Sequence, residues 1–266
     1  ANSPDSHPSI SDNEREYIRA TLPNSSDLSS VMPTPWGQIL TSKPMWALLI
    51  AHLGQNWGYT VLFTMLPNFL SEILLYDISM DGLTSSLIYL LMCVLTVIFS
   101  WITDYCIDRR LLSLTIVRKI WNSLAHWGAA MSLLLLTFTA SSNTATLALL
   151  TIALALNSGV YLGFMANHID LSPNFAGLLM GITNSVSNIS SFLGPVVSGF
   201  IITEDTNRKE WMIAFYISAA IYFFGNLVFV LFGSADVQPW NDPINEEEKN
   251  TKITKYNTKS DYVTSI

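Results

Sequence analysis

Six stretches of the chain are long and apolar, and none of them contains Asp, Glu, Lys or Arg. They are residues 45–66, 83–103, 120–140, 144–165, 176–202 and 212–232. A helix that crosses the hydrocarbon core of a membrane needs about 20 predominantly apolar residues, and lipid admits only helices or closed barrels. These stretches are too long to be barrel strands. The sequence therefore predicts an all-α membrane protein with six transmembrane helices.

The distribution of Lys and Arg predicts the orientation of these helices. Six spans place both termini on one side of the membrane, and the opposite side then holds only Arg208 and Lys209 of the 13 basic residues. Basic residues are retained on the cytoplasmic side, so both termini are expected there. Residues 1–44 would form a cytoplasmic segment with a short helix, 45–233 the bundle, and 234–266 a cytoplasmic, disordered tail. The net charge of −7 argues against a nucleic-acid partner.

Polar residues recur on one face of the first, fourth and fifth apolar stretches, whereas the third and sixth have almost wholly apolar middles. Polar groups inside a membrane are costly, and they commonly face a cavity or another helix. The candidate lining of a substrate pathway is His52, Gln55, Asn56, Tyr59, Asn157, Tyr161, Asn184 and Asn188. For any one of these residues, hydrogen bonding between packed helices is an equally good explanation.

The six stretches can be divided into two units of three, and the first helix of each unit contains a candidate interruption. These interruptions are Gly54–Gly58 in the first stretch and Asn157–Gly159 in the fourth. Broken helices at corresponding positions of two repeats are typical of transporter binding sites. Because glycine is common in membrane helices, this pattern alone does not establish such a site.

Charged residues at the ends of two stretches are candidates for a gate. Asp104, Arg109 and Arg110 lie in a predicted loop after the second stretch, and His168 and Asp170 follow the fourth. Carboxylates and guanidinium groups there could form ion pairs that break when helix bundles move. The alternative is retention of positive charge on the cytoplasmic side for Asp104–Arg110, and helix-end hydrogen bonding for His168 and Asp170.

Five separated motifs occur in order along the chain. They are His52–Tyr59, Leu66–Phe69, Ser113–Lys119, Asn167–Gly177 with Met180–Asn184, and Gly233–Trp240. Together they resemble the anion:cation symporter branch of the major facilitator superfamily, which includes sialin, vesicular glutamate transporters and sodium-dependent phosphate cotransporters. The details are most similar to insect inorganic phosphate cotransporters. The resemblance covers the chain from Ser11 to Trp240.

This resemblance implies a fold with 12 helices in two halves, in which the chain corresponds to the C-terminal bundle, helices 7–12. It implies secondary active transport of an inorganic or organic anion, with phosphate favoured, through alternating access. Sodium or protons would be the coupling ion, without any cofactor. The expected partners are the small anion, the lipid bilayer and an N-terminal six-helix half. The expected location is the plasma membrane or a lysosomal or vesicular membrane.

Two departures from the branch concern the site. Members that carry glutamate have an arginine where this chain has Gln55, which favours phosphate or another anion. Many members have an arginine where this chain has Asn174, so a different contact is expected there. The chain also begins at Ala1 without an initiator Met, and we expect it to be part of a longer product.

Two other classes of protein remain open from the residues alone. The chain could be a self-contained six-helix protein that acts as a homodimer or as a scaffold without transport activity. It could also be an intramembrane enzyme, but such an enzyme needs an activated nucleophile or a metal site. No acidic residue lies in any apolar stretch and no His-Glu-x-x-His motif occurs. The sequence therefore favours a protein that is not an enzyme and that binds no metal.

Overall fold

The computed structural model describes residues 8–21, 33–75, 78–139 and 142–242. The chain divides into two units, one formed by Ala1–Pro35 with Pro243–Ile266 and the other by Trp36–Asp242. In the first unit the described helix is α1, Asp12–Thr21. Ser11 Oγ accepts the backbone N–H of Glu14 at 3.2 Å, which caps the first turn. Residues 243–266 of the predicted tail lie outside the described residues.

The second unit is built from helices joined by short turns, and its described residues include no β-strand. The helices are α2 Trp36–Thr41, α3 Lys43–Glu72, α4 Ile78–Asp108, α5 Leu114–Leu135, α6 Asn143–Leu156, α7 Phe164–Leu171, α8 Ala176–Ile201 and α9 Arg208–Phe232. Short 3₁₀ turns occupy Leu136–Thr139, Asn157–Tyr161, Pro173–Phe175 and Pro239–Asn241. The central helix is α3, which packs mainly against α8 and α9, while α5 packs against α9 and α6.

Three helical segments in the described ranges are long and apolar enough to cross a membrane. They are Gly82–Asp108, Asn143–Leu171 and Arg208–Phe232. They contain the second, fourth and sixth apolar stretches of the sequence. The helices α3, α5 and α8 have 30, 22 and 26 residues. Their polar residues make them less apolar, so the number of six spanning helices stays a prediction.

Buried side chains form two apolar clusters with polar groups between them along the helices. One cluster gathers around Phe69, Leu133 and Phe215. The other gathers around Leu48, Phe164 and Phe229. Buried polar residues lie along the helices between these clusters, among them His52, Gln55, His126, Asn157 and Asn226. Since buried polar groups are costly without partners, this layer is where the helices must be paired by hydrogen bonds.

The predicted interruption at Gly54–Gly58 is wrong, because α3 is a continuous helix through these residues. The two glycines serve packing instead. A Cβ on Gly54 would lie 3.2 Å from the carbonyl oxygen of Ile221 and 3.4 Å from Gly225 Cα, and one on Gly58 would overlap the Tyr222 ring. Glycine at these positions therefore lets the backbone of α3 approach α9 closely.

The predicted interruption at Asn157–Gly159 agrees with the structure, where a 3₁₀ turn at Asn157–Tyr161 separates α6 from α7. Two side chains in this turn bond to backbone carbonyls. Asn157 Nδ2 donates to Ala153 O at 2.7 Å, and Ser158 Oγ donates to Ala155 O at 2.7 Å. Such bonds compete with regular helical geometry. The helix is thus broken at the level of the polar layer.

Two further boundaries differ from the sequence prediction. The second apolar stretch continues as helix to Asp108, so Asp104 lies on the last turns of α4 and not in a loop. Residues 234–242, assigned to a disordered tail, are ordered against the bundle. Trp240 and Asn241 are buried there. Apolar burial of Trp240 stabilises this segment in a way that charge and composition do not reveal.

Candidate functional site

A cavity of about 190 Å³ lies beside the polar layer. Its lining residues come from α3, α4, α8, α7 and the turn before α7, and they are His52, Gln55, Asn56, Tyr59, Met92, Asn157, Val160, Tyr161, Phe164, Met165 and Asn184. Seven of the eight residues predicted to line a substrate pathway are among them. No lining residue carries a permanent charge. The cavity is therefore a mixed surface of amide, hydroxyl, imidazole and apolar groups.

The wall from α3 follows from helical spacing. His52, Gln55, Asn56 and Tyr59 are three, four and seven residues apart, which puts them on one face. Gln55 Nε2 donates to Asn157 Oδ1 at 2.7 Å and thereby joins α3 to the broken helix. Gln55 Oε1 and His52 Nδ1 have no hydrogen-bond partner among the described residues.

Asn157 is the residue to which side chains from two other helices form hydrogen bonds. Its Oδ1 accepts hydrogen bonds from Gln55 and from the hydroxyl of Tyr222 at 3.1 Å. Its Nδ2 is held by Ala153 O, the carbonyl one turn earlier. Both ends of the amide are therefore fixed by α3, α6 and α9. The interruption of the helix thus positions a side chain that three helices share.

Helix α8 presents two different polar faces. The buried face contains Thr183 and Ser187, where Thr183 Oγ1 meets His168 Nε2 at 2.7 Å and Ser187 Oγ accepts from Asn56 Nδ2 at 2.9 Å. Asn184 and Asn188 lie on the exposed side, and Cβ atoms on Gly177 and Gly181 would meet nothing within 4 Å. Asn188 does not line the cavity, so its place in a substrate pathway stays a prediction. The open side of α8 borders the cavity only at Asn184.

A second polar network joins α5 and α9 and was missed by the sequence analysis. Asn122 Nδ2 donates to Asn226 Oδ1 at 2.8 Å, and Asn226 Nδ2 donates to Ser123 Oγ at 3.0 Å. The ring nitrogens of His126 lie 3.1 and 3.3 Å from the carbonyl oxygens of Asn122 and Ala51. The description of the third and sixth stretches as apolar in their middles is therefore wrong. The signal available in the sequence was that each of the two stretches contains one asparagine, Asn122 and Asn226, which could pair with one another.

Close backbone approach fixes this network to the broken helix. A Cβ on Gly163 would lie 2.9 Å from the backbone nitrogen of Asn122, and one on Gly159 would lie 3.0 Å from the carbonyl oxygen of Trp121. Only glycine accommodates such contacts without displacement of the backbone. The α5 helix is therefore packed directly on the interruption that carries Asn157.

The two gate candidates after the fourth stretch are held in the structure by different partners. Asp170 forms a two-pronged ion pair with Arg118 of α5, at 2.6 Å from Nε to Oδ2 and 3.2 Å from Nη2 to Oδ1. Arg118 Nη1 also donates to the Leu162 carbonyl at 3.0 Å, beside the interruption. His168 Nδ1 lies 2.9 Å from Met165 O. The planar fork of arginine matches a carboxylate in this geometry. The distribution of basic residues predicts a cytoplasmic position for Arg118 but not its pairing with Asp170.

The gate candidates at the end of α4 are not brought together with opposite charges. Asp104, Arg109 and Arg110 are exposed. The Arg109 guanidinium lies 5.8 Å from the centre of the Tyr105 ring. None of the three takes part in a salt bridge within the described residues. Their role as a gate stays a prediction.

The ordered segment 234–242 crosses the ends of α5, α7 and α8. We call it the strap. Gln238 N donates to the Leu171 carbonyl at 2.9 Å, and Ala235 N donates to Thr115 Oγ1 at 2.9 Å. Asn241 Oδ1 accepts from Ser172 Oγ at 2.7 Å and from the Asn174 backbone N–H at 3.0 Å. The strap therefore fixes the bend between α7 and α8.

Asn174 stands at the second position where the sequence analysis expects a different contact. Its Nδ2 donates to the carbonyl of Asn241 at 3.0 Å and to Asp242 Oδ1 at 2.9 Å. The side chain is thus used to hold the end of the strap. The contact that Asn174 makes at this position is therefore a hydrogen bond to the strap.

The geometry defines a helical membrane protein with an uncharged polar cavity at a broken helix, and comparison with known proteins identifies its family. A family model described as Major Facilitator Superfamily matches residues 4–195 and 117–262. The chain therefore belongs to the Major Facilitator Superfamily of membrane transporters. The family resemblance of the sequence motifs is confirmed.

Individual relatives agree with this assignment. The chain is 38% identical over 248 residues to a Drosophila ananassae protein named "Putative inorganic phosphate cotransporter". The matched region is 92% of the chain and 51% of the relative. It is 36% identical to human sialin, over 90% of the chain and 48% of sialin. It is 32% identical to human vesicular glutamate transporter 2, over 93% of the chain and 43% of that protein. The chain spans about half the length of the curated relatives it matches.

Proposed function

We propose that the chain is the C-terminal half of a secondary active anion transporter, with phosphate as the favoured substrate. In this proposal α3, α4, α5, α6 with α7, α8 and α9 are six membrane-spanning segments, and both termini face the cytoplasm. Sodium or protons supply the driving force, and two bundles rock about a central site. The observation that carries the proposal is the 190 Å³ cavity lined by seven of the predicted pathway residues.

The chemistry of the cavity suits one wall of an anion site. Amide, hydroxyl and imidazole groups can donate hydrogen bonds to anionic oxygens. Because the lining residues carry no permanent positive charge, transfer of an anion into this wall alone would be costly. We infer that a second bundle supplies the cation. The exposed side of α8, with Asn184 and Asn188, is the surface that such a bundle would cover.

The identity of the anion is inferred from the relatives and from one position. The Drosophila relatives carry inorganic phosphate in their names. Gln55, where the glutamate-carrying members of the branch have an arginine, bonds to Asn157 through Nε2. A neutral amide can orient a bound anion through hydrogen bonds, but it does not compensate the charge of that anion. The departure at Gln55 argues against glutamate, and the names of the Drosophila relatives favour phosphate as the substrate.

The direct test is uptake of labelled phosphate. The chain is expressed by itself and also joined to the half of the Drosophila ananassae relative that it does not match. The joined protein is expected to take up phosphate along an imposed sodium or proton gradient, and excess unlabelled phosphate should compete. Absence of gradient-dependent uptake of phosphate and of other small anions by the joined protein would contradict the proposal.

A second candidate function is a self-contained six-helix protein that acts as a homodimer or as a scaffold. It is favoured by the burial of α3 within the described chain, because the bundle already has its own packed core. The chain expressed by itself distinguishes the two candidates. Gradient-dependent uptake by a stable homodimer, measured together with native mass spectrometry, would favour this candidate.

A further inference from the structure

A groove on the outer side of the bundle lies between α5 and α9, away from the cavity. Its volume is about 550 Å³, and its lining residues are Ile116, Lys119, Ile120, Ser123, Leu124, Gly128 and Val230. The α5 residues recur at intervals of three and four, so they form one stripe along the helix. From Ile116 to Gly128 that stripe extends about 18 Å at the ordinary rise of a helix.

The walls of the groove are apolar and open. Ile116, Ile120 and Leu124 are 46%, 48% and 37% exposed although they are large hydrophobic residues. On the opposite wall, α9 belongs to a segment apolar enough to cross a membrane. Gly128 has no side chain to place in the groove, and a Cβ there would lie 2.5 Å from Leu156 Cδ1 of α6. An extended apolar chain can pack along such a groove through van der Waals contacts.

One end of the groove carries a positive charge. Lys119 is the only charged residue among the lining residues. The neighbouring Arg118 is engaged by Asp170, whereas Lys119 forms no salt bridge within the described part of the chain. Arg109 and Arg110 follow α4 and are exposed at the same end of the bundle. A negatively charged group that entered the groove from this end would meet an ammonium group that has no salt-bridge partner among the described residues.

We propose that this groove binds an anionic phospholipid, with an acyl chain along α5 and the negatively charged headgroup at Lys119. The charge at one end and the apolar stripe behind it match the two parts of that lipid. Anionic lipids are concentrated in the cytoplasmic leaflet, the side on which the proposed orientation places Lys119. The inference rests on the proposed membrane position of α5 and α9 and does not require that the chain transports an anion.

The test measures lipid binding to the purified full chain by native mass spectrometry. The probes are palmitoyl-oleoyl phosphatidylserine and palmitoyl-oleoyl phosphatidylcholine, which share their acyl chains and differ in net charge. Phosphatidylserine is expected to bind more tightly. Lys119→Gln should weaken its binding about fivefold, the factor that corresponds to the contribution of one basic residue near an anionic membrane surface. The affinity for phosphatidylcholine should change by less than twofold.

Matched variants separate a site from a general effect of charge. Arg110→Gln removes one positive charge at the same end, but Arg110 does not line the groove, so phosphatidylserine binding should stay within twofold. Val230→Trp places a large ring in the groove and should weaken both lipids. Thermal unfolding of each variant checks that the chain is folded.

Two results would overturn the proposal. One is an equal loss of phosphatidylserine binding in Lys119→Gln and Arg110→Gln, which would indicate unspecific attraction. The other is equal affinity of the unmodified chain for the two lipids. Phosphate uptake is measured separately in the joined protein, so failure of the lipid site and failure of the transport proposal are distinguishable.

Discussion

At the scale of single residues, glycines decide how closely the helices of the polar layer can pack. Gly58 of α3 faces the fully buried Tyr222, whose hydroxyl donates to Asn157. Gly181 of α8 has open space around it. Glycine within a long helix therefore allows a tight contact at Gly58, whereas at Gly181 it borders open space.

Substitution at these two glycines should have opposite consequences. Gly58→Ala is expected to destabilise the chain by about 1–3 kcal/mol, because its methyl group would force Tyr222 out of place. Gly181→Ala should be neutral or slightly stabilising, since alanine has the higher helix propensity. Thermal unfolding of the chain in detergent measures both effects. Equal midpoints for the two variants would contradict the described packing of α3 on α9.

The Arg118–Asp170 pair is the second feature at this scale. The side chains are only 12% and 11% exposed, so each depends on the other for compensation of its charge. Asp170→Asn is expected to destabilise the chain by about 3–5 kcal/mol, because it leaves a largely buried guanidinium without its carboxylate. The measurement is the unfolding midpoint in detergent together with a double-mutant cycle through Arg118→Met.

Asp104→Asn is the matched control for that prediction. Asp104 is exposed and forms no salt bridge in the part of the chain that the structure describes. Its replacement should leave the unfolding midpoint almost unchanged. Additive effects of Asp170→Asn and Arg118→Met would show that the two side chains do not stabilise one another.

At the scale of elements, the strap holds the bend between α7 and α8. Its contact through Asn241 satisfies a hydroxyl and a backbone N–H that would otherwise lack these partners. Polar groups at buried helix ends are costly when they lack hydrogen-bond partners. The strap, which follows α9, supplies such partners to the end of α7. The two ends of the strap also reach different helices, since Ala235 binds α5.

Removal of the Asn241 side chain should loosen this bend. Asn241→Ala is expected to cost about 1–3 kcal/mol locally, the usual penalty for buried groups left without a hydrogen bond. Hydrogen exchange at residues 171–176 should accelerate while exchange in α3 stays slow. Val237→Ala, at an exposed residue of the same strap, is the control and should leave the exchange rates unchanged. Unchanged rates in Asn241→Ala would show that the strap does not fix the bend.

At the scale of the whole molecule, the exposed side of α8 distinguishes a water-lined cleft from a surface that faces lipid. Asn188 lies on this side, Ser187 faces the bundle, and Leu90 is an exposed residue of the apolar helix α4. The proposed transporter requires water at Asn188 and lipid at Leu90. Covering by a second bundle would then restrict access to Asn188.

Cysteine labelling in liposomes tests this arrangement. In a background with Cys93→Ser and Cys106→Ser, Asn188→Cys should react with a water-soluble maleimide at least tenfold faster than Ser187→Cys or Leu90→Cys. The physical reason is that the reagent reaches only thiols that contact water. In the joined two-half protein the rate at Asn188→Cys should fall. Equal protection of Asn188→Cys and Leu90→Cys in the joined protein and in the chain by itself would place the asparagine against lipid.

The sequence by itself determined the helical class, the family and most of the cavity wall. Lipid requires long apolar helices, and the high cost of polar groups within them makes residues such as Gln55, Asn157 and Asn184 conspicuous. The spacing of His52, Gln55, Asn56 and Tyr59 follows directly from the period of a helix. These features are local, so they can be derived without knowledge of which helices are neighbours.

Tertiary structure alone decided which of these polar residues are paired and which side of each helix is closed. Asn188 follows Asn184 by one turn but misses the cavity, and Asn122 meets Asn226 across two helices that look apolar in sequence. The glycines of α3 support close packing because α9 happens to lie against them. Hydrogen bonds and close contacts between distant segments depend on the relative rotation and crossing of helices, which the local pattern does not encode.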